Sequence, residues 1–170
     1  MEIRGGRLVN FLKEIDGELS RKIRLNAVGG TAMTLLGLKT STLDIDFDMS
    51  VEDRREFERV LAVTPHGYRI DIYVNGLIFS QQLPEDYTRR LIPIDAGLRN
   101  IRLYALDPVD IVATKTGRLN ERDIQDIEAC IRKYGLKRKA IEERAKEVVY
   151  IGNEENYQKN LQVVIKKFFG

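Results

Sequence analysis

A strict alternation of acidic and apolar residues is the feature that most constrains the fold of this chain. Asp44, Asp46 and Asp48 alternate with apolar side chains from Leu43 to Met49. Successive side chains of an extended strand point to opposite faces, so the pattern predicts a strand with its carboxylates on one face. Stacked carboxylates repel one another, and Mg²⁺, which prefers oxygen ligands, is the candidate cation that compensates them. The alternation alone also fits the solvated face of an edge strand.

The segment before this strand predicts a phosphate site. Gly29 and Gly30 follow a short apolar strand and open a short helix at Thr31. A glycine-rich turn at a helix N-terminus directs backbone N–H groups toward an anion. A phosphate-binding turn followed by a carboxylate strand indicates metal-dependent chemistry on a nucleoside triphosphate.

Length and composition exclude several classes of protein. The 170 residues suffice for one domain with a helical appendage, and an apolar fraction of 43% argues against disorder. No apolar run approaches the roughly 18 residues that span a bilayer, and the N-terminus lacks a signal-peptide pattern. One cysteine and one histidine exclude an internal disulfide and a histidine-rich metal site. We therefore expect a cytoplasmic protein with no membrane partner.

Weaker signals continue after the acidic strand. Residues 68–74 alternate as a second strand, and Asn75-Gly76 is a strong hairpin signal. The pattern over the following residues is harder to interpret, with strands expected near 91–94 and 101–106. From there onward helices dominate, and two of them are expected over about 137–150 and 154–168.

Two helix starts carry strong capping signals. Asp107 before Pro108 predicts an N-cap and a proline at the first helical position. Asn120 with Asp123 predicts the start of the next helix, and Gly135 predicts its end.

The second strand supplies another carboxylate. Asp71 shares a strand face with Arg69 and Tyr73, opposite Ile70 and Ile72. If this strand lies beside the acidic one, a two-metal site results. Asp44 and Asp46 would then hold both ions, and Asp71 would reach the ion that activates the attacking oxygen.

The combination resembles the nucleotidyltransferase superfamily with the DNA-polymerase-β-like catalytic fold, and within it the small proteins related to AbiEii-type toxins. The resemblance covers roughly residues 25–134 and rests on Gly29-Gly30, on Thr42 with the two aspartates that follow it, and on Asp71. It continues in the Asp-Pro-Val-Asp-Ile-Val-Ala-Thr-Lys stretch that ends at Lys115 and in the Arg-Asp-x-x-Asp stretch that starts at Arg122.

The resemblance implies a fold and a division of the chain. The fold class is α+β, with a nucleotidyltransferase-like mixed β-sheet and flanking helices, followed by a C-terminal helical part. Residues 1–106 would form the catalytic core, and residues 107–170 a helical region packed on it.

It also implies roles for particular residues. The expected catalytic and metal-binding residues are Asp44, Asp46 and Asp71. The expected nucleotide-binding residues are Gly29, Gly30, Thr31, Thr42, Lys115 and Arg118. Secondary candidates are Asp48, Arg122 and Asp123.

Several of these residues have simpler interpretations. Lys115 alone fits a lysine whose stem covers apolar surface. Arg122 fits an ion pair with Asp126 four residues later, the role we favour for it. Asp123 fits a helix cap, and the sequence does not decide whether Asp48 binds metal.

The implied activity is Mg²⁺-dependent transfer of a nucleoside monophosphate from an NTP to an acceptor hydroxyl, with Mn²⁺ as the alternative ion. The acceptor is RNA or tRNA, a protein or a small molecule, and a toxin would have a cognate antitoxin protein as partner. From Arg132 onward ten Lys or Arg face five Glu, which favours RNA. The alternatives are a non-catalytic nucleotide-binding or interaction module on the same fold, and a basic RNA-binding protein with merely superficial acids.

Overall fold

The computed structural model describes residues 1–170 and divides them into two compact units. The first unit comprises residues 1–75 and 91–106, and the second comprises 76–90 and 107–170. Residues 76–90 are thus grouped with the helical part of the chain.

The helices and strands are numbered in chain order. The helices are α1 (Gly5–Glu18), α2 (Gly29–Leu35), α3 (Val51–Leu61), α4 (Tyr87–Arg90), α5 (Pro108–Thr116), α6 (Glu121–Tyr134), α7 (Arg138–Glu147) and α8 (Glu154–Phe169). The strands are β1 (Ile3–Arg4), β2 (Ile23–Ala27), β3 (Ser41–Thr42), β4 (Ile45–Met49), β5 (Ile70–Val74), β6 (Leu77–Ile78), β7 (Gln81–Gln82), β8 (Ile92–Pro93), β9 (Ile101–Ala105) and β10 (Val149–Tyr150).

The first unit is built on a mixed sheet with the strand order β5-β4-β2-β9-β8. The pairs β4–β5 and β2–β9 are parallel, whereas β2–β4 and β8–β9 are antiparallel. Strands β1 and β3 form a separate antiparallel ladder. A mixed sheet together with helices confirms the predicted α+β fold class.

The apolar residues of β4 form part of the core of this unit. Ile45, Phe47 and Met49 are buried. Phe47 packs edge-on against Phe57 of α3, with ring centroids 6.1 Å apart. Burying each such side chain contributes about 1.5–3 kcal/mol, which fixes β4 with its aspartates on the opposite face.

The second unit combines helices α4–α8 with a small antiparallel sheet in the order β10-β7-β6. Both predicted caps are confirmed, since the Asp107 side chain accepts from Val109 N and the Asn120 side chain accepts from Asp123 N. Gly135 ends α6 in the left-handed region, with φ 59°.

One predicted turn is confirmed, and one predicted helix ends earlier than expected. Asn75 and Gly76 have φ of 52° and 82°, which confirms the predicted tight turn between β5 and β6. The helix expected over 137–150 is wrong at its end, because α7 stops at Glu147 and β10 pairs with β7 instead. No helix combines the length and the apolar character needed to span a bilayer.

Candidate functional site

Two carboxylates stand side by side on the polar face of the first sheet. Asp46 on β4 is the register partner of Asp71 on the adjacent parallel strand β5. Asp46 is 8% exposed, whereas the Asp71 side chain is about one-third exposed and lies 3.5 Å from the Arg69 guanidinium. The predicted neighbourhood of these two aspartates is therefore present in the structure.

Asp44 lies just outside the strand that we predicted for it. Residues 43 and 44 form the bend between β3 and β4, so the strand begins at Ile45. The Asp44 carbonyl accepts hydrogen bonds from the hydroxyls of Thr31, at 3.1 Å, and Thr42, at 2.8 Å. These two bonds hold the bend, and they leave the Asp44 side chain partly exposed.

The same bonds revise the expected role of Thr31. Its side chain is completely buried, and its oxygen also accepts from the Asp46 backbone N–H at 2.9 Å. Thr42 is 5% exposed and is likewise committed to the bend. Both hydroxyls are engaged with the backbone around the aspartates, and nucleotide binding by Thr31 and Thr42 stays a prediction.

The two glycines are required by the local geometry. Gly29 has φ 54°, in the left-handed region that favours glycine. A Cβ at Gly30 would lie only 2.7 Å from Thr42 Oγ1. No side chain caps the first turn of α2, which begins at Gly29. Because the turn has no side chains, its backbone lies close to the Asp44 bend.

Asp48 and Asn26 extend the same polar face and are completely buried. They are register partners on β4 and β2, and Asn26 Nδ2 donates to Asp48 Oδ2 at 3.2 Å. Asn26 Oδ1 has no hydrogen-bond partner. Sequence reasoning missed Asn26, although a lone polar residue inside the apolar run Leu25–Val28 is the signal that could have found it.

The residues present suit a hard divalent cation in their chemistry. Asp46 and Asp71 offer oxygen ligands only, which Mg²⁺ and Mn²⁺ accept. No group of three or more His, Cys, Asp or Glu side chains is arranged to hold a metal ion. The structure therefore brings together a carboxylate pair, and ligation by Asp44 remains a prediction.

The second unit contains its own charged cluster, around Lys115. Lys115 Nζ lies 2.8 Å from Asp126 Oδ2 and 3.3 Å from Asp123 Oδ1, and the lysine side chain is only 2% exposed. Lys115 is thus neither a surface lysine nor an open phosphate ligand in this structure. It is the counter-ion of two buried carboxylates that α6 presents to α5.

Arg118 completes this cluster at its exposed edge. Its guanidinium donates to both Asp123 oxygens, at 2.9 and 3.3 Å, and lies 3.9 Å above the centre of the Phe79 ring. The arginine side chain remains 42% exposed. Arg122 is also exposed. The predicted ion pair of Arg122 with Asp126 is replaced by an ion pair of Lys115 with Asp126.

A further buried ion cluster in the second unit was missed. Arg144 of α7 is 1% exposed and donates from Nε and Nη2 to the two carboxylate oxygens of Asp110, at 2.6 and 3.0 Å. Burial raises the pKa of Asp110, and the Arg144 hydrogen bonds oppose that rise. Nothing in the local sequence marks this pair, because its members are 34 residues apart.

Part of the positive charge of the C-terminal helices is engaged in ion pairs. Arg132, Arg138 and Lys139 each pair with a glutamate four residues away on the same helix. Exposed pairs of this kind stabilise a helix weakly and neutralise its charge. They support a solvated helix face over an RNA-binding surface at these positions.

Comparison with solved structures gives one informative match. The chain is similar to a structure described as an antigenic nucleotidyltransferase-like protein from Paracoccidioides brasiliensis, with a TM-score of 0.57 and 15% sequence identity. The alignment covers 99% of this chain and 91% of that one. At this identity the match shows a shared fold. None of the curated proteins compared with the sequence matches it.

Comparison with protein families covers nearly the whole sequence. The model of the family described as nucleotidyltransferase of unknown function (DUF6036) matches residues 6–169, a range that includes both units. The chain therefore belongs to this nucleotidyltransferase family.

Proposed function

We propose that this protein is a Mg²⁺-dependent nucleotidyltransferase that transfers a nucleoside monophosphate from an NTP to an acceptor hydroxyl. The observation that carries the proposal is the register pairing of Asp46 with Asp71 on parallel strands, opposite an apolar core. The family match and the shared fold support the same reaction class.

In this proposal Asp46 and Asp71 hold the cation, with Asp44 at the exposed end of the same face. Bound Mg²⁺ would neutralise phosphate charge and lower the pKa of the acceptor hydroxyl. The backbone N–H groups of Gly29 and Gly30 would bind phosphate oxygens, because the first turn of α2 has no side-chain cap. The hydroxyls of Thr31 and Thr42 hold the glycine turn next to the Asp44 bend.

The reaction is a single displacement at phosphorus. The acceptor oxygen bonds to the α-phosphorus, the bond to the pyrophosphate oxygen breaks, and the acceptor proton leaves to water near the partly exposed Asp71. Positioning and charge neutralisation supply the catalysis, as in other phosphoryl transfers. Arg118 is the predicted nucleotide contact of the second unit that keeps an exposed guanidinium.

The acceptor and the pathway are open parts of the proposal. The paired basic residues of α6 and α7 weaken the case for RNA, so a protein or a small-molecule hydroxyl gains weight. A toxin role with a cognate antitoxin rests on the sequence resemblance.

A second candidate function is a nucleotide-binding module without turnover. The observation that favours it is that three carboxylates do not converge into a ligand group. Two ions need more carboxylate ligands than one, so a site with only two converging aspartates suits binding better than two-ion catalysis.

One experiment separates these functions. Purified protein is incubated with Mg²⁺ and each α-labelled NTP, with total RNA or cell protein as acceptor, and both label transfer and pyrophosphate release are measured. We expect transfer by the wild-type protein, and loss of transfer in Asp46→Asn and Asp71→Asn. Asp95→Asn, a change at an exposed loop aspartate of the same unit, is the matched control that keeps activity.

Binding is measured in parallel by thermal unfolding with Mg-NTP. A ligand at a hundredfold excess over its dissociation constant stabilises the native state by about 2.7 kcal/mol. Stabilisation without pyrophosphate release would favour the binding module. Transfer that survives in both aspartate variants would refute the assignment of the site.

A further inference from the structure

The contact between Arg118 and Phe79, within the second unit, is flanked by an unusual backbone on both sides. Phe79 and Ser80 have φ of 49° and 68° in the two-residue turn between β6 and β7, and Leu119, which follows Arg118, has φ 46°. Turns of this type normally carry Asn or Gly, because a left-handed backbone is disfavoured for residues with a Cβ. Strained residues of this kind concentrate at ligand-binding positions.

A buried amide beside this contact is a second unfavourable feature. Gln81, the residue after the turn, is completely buried, and neither its Nε2 nor its Oε1 has a hydrogen-bond partner. The amide packs against Gly117, the residue before Arg118, where a Cβ would lie 1.9 Å from Nε2. Buried polar groups without partners are rare in folded proteins. The fold thus tolerates both backbone strain and an unsatisfied amide at the place where Arg118 and Phe79 meet.

This local structure presents a fixed, flat guanidinium group. The Arg118 guanidinium lies 3.9 Å above the centre of the Phe79 ring, and its Nε and Nη2 donate to Asp123. The arginine side chain is nevertheless 42% exposed, so the outer face and Nη1 are the parts of the guanidinium that a ligand can reach. Its positive charge is already paired with a carboxylate, which favours a planar ring over a phosphate group as the ligand of this face.

We propose that Arg118 and Phe79 form a stacking platform for the base of a bound nucleotide. This inference rests on the proposed function, which supplies a nucleotide as the ligand. The base lies on the outer face of the guanidinium, so that the guanidinium is enclosed between the base and the Phe79 ring. Every base has a flat π-face, so the platform accepts any of the common bases.

The test uses a ligand that carries no phosphate and needs no metal. The fluorescent nucleoside 2-aminopurine riboside is titrated with the full-length chain in buffer containing EDTA, and quenching of its fluorescence reports stacking. Arg118→Lys keeps the positive charge and removes the planar surface, and Phe79→Leu removes the supporting ring. Each variant should weaken nucleoside binding by about fivefold or more. Arg118→Lys alone decides if Phe79→Leu fails to fold.

Two matched controls separate stacking from charge and from folding. Arg122→Lys makes the same change at another exposed arginine of the second unit and should leave nucleoside binding unchanged. Ser80→Gly relieves the left-handed backbone of the turn and leaves both platform side chains in place. This variant should keep nucleoside binding, and its unfolding midpoint should equal or exceed that of the wild type.

Three results would overturn the platform. The first is equal nucleoside affinity in the wild type and Arg118→Lys. The second is a loss of affinity in Arg118→Lys that is confined to Mg-NTP, which would make Arg118 a phosphate ligand. The third is the absence of quenching by the wild-type protein at millimolar concentration, and the label-transfer assay would still decide the proposed function separately. Quenching that depends on Arg118, without label transfer or pyrophosphate release, would support the platform and refute the transferase.

Discussion

Replacing Lys115 with methionine tests whether this ammonium group serves the fold of the second unit. The lysine lies between two carboxylates that are 1% and 7% exposed, at 3.3 and 2.8 Å. Removing one member of a buried ion pair costs about 3–5 kcal/mol, because the remaining charge stays buried. Asp123 keeps its bidentate partner Arg118, so the loss falls mainly on Asp126 and we expect the lower end, about 3 kcal/mol.

This loss is large enough to measure directly. For a chain of this size, 1 kcal/mol corresponds to about 2–4 °C in the unfolding midpoint, so Lys115→Met should lower the midpoint by roughly 6–12 °C. Urea unfolding followed by circular dichroism gives the free energy. The double variant Lys115→Met/Asp126→Asn should recover most of the loss, because it removes the buried Asp126 charge together with the ammonium that faces it.

One result would contradict this structural role of Lys115. If Lys115→Met unfolds within 1 kcal/mol of the wild-type protein and the double variant is no more stable, the buried pairing does not hold the second unit together. Lys115 would then regain the role of an accessible anion ligand that its sequence context suggested.

Further predictions concern packing, thiol reactivity and pH. Gly117→Ala should destabilise the protein, since its Cβ would lie 1.9 Å from Gln81 Nε2, and adding Gln81→Ala should restore stability in the same urea assay. Burial raises the pKa of Cys130 to about 12, so a thiol reagent at pH 8 should react only as the chain unfolds, and rapid reaction of the native protein would refute the burial. The hydrogen bond from Arg59 lowers the pKa of Glu56 in the folded protein. The ionised Glu56 therefore stabilises the fold fully above the pKa of an unfolded glutamate, about 4.3, and this stabilisation is lost as the pH falls below it. Below that pH the free energy of unfolding should fall more steeply in the wild type than in Glu56→Gln.

Local patterns predicted the parts of the fold that depend on neighbouring residues. Alternation located β4, and capping residues located the starts of α5 and α6, because each signal acts within a few residues. The small sheet of the second unit was missed, since β7 pairs with β10 more than sixty residues later. Two-residue strands carry too little periodicity to be recognised without their partners.

In the candidate site, too, local patterns predicted some contacts, whereas contacts that depend on packing were missed. Asp46 and Asp71 were predicted as neighbours because their strands could be recognised and one face assigned to each. The pairing of Lys115 with Asp126 could not be predicted, since it depends on how α5 packs against α6. The burial of Thr31 likewise depends on the bend at Asp44, a feature that alternation does not reveal.

The division of the chain into two interleaved units has a consequence for its synthesis. On the ribosome, the first sheet stays incomplete until β9 emerges, since β9 lies between β2 and β8. By then residues 76–90 have left the exit tunnel, yet β7 must wait for β10 at residues 149–150. The nascent chain therefore carries the outer edge of β7 without its partner strand while more than sixty further residues are added.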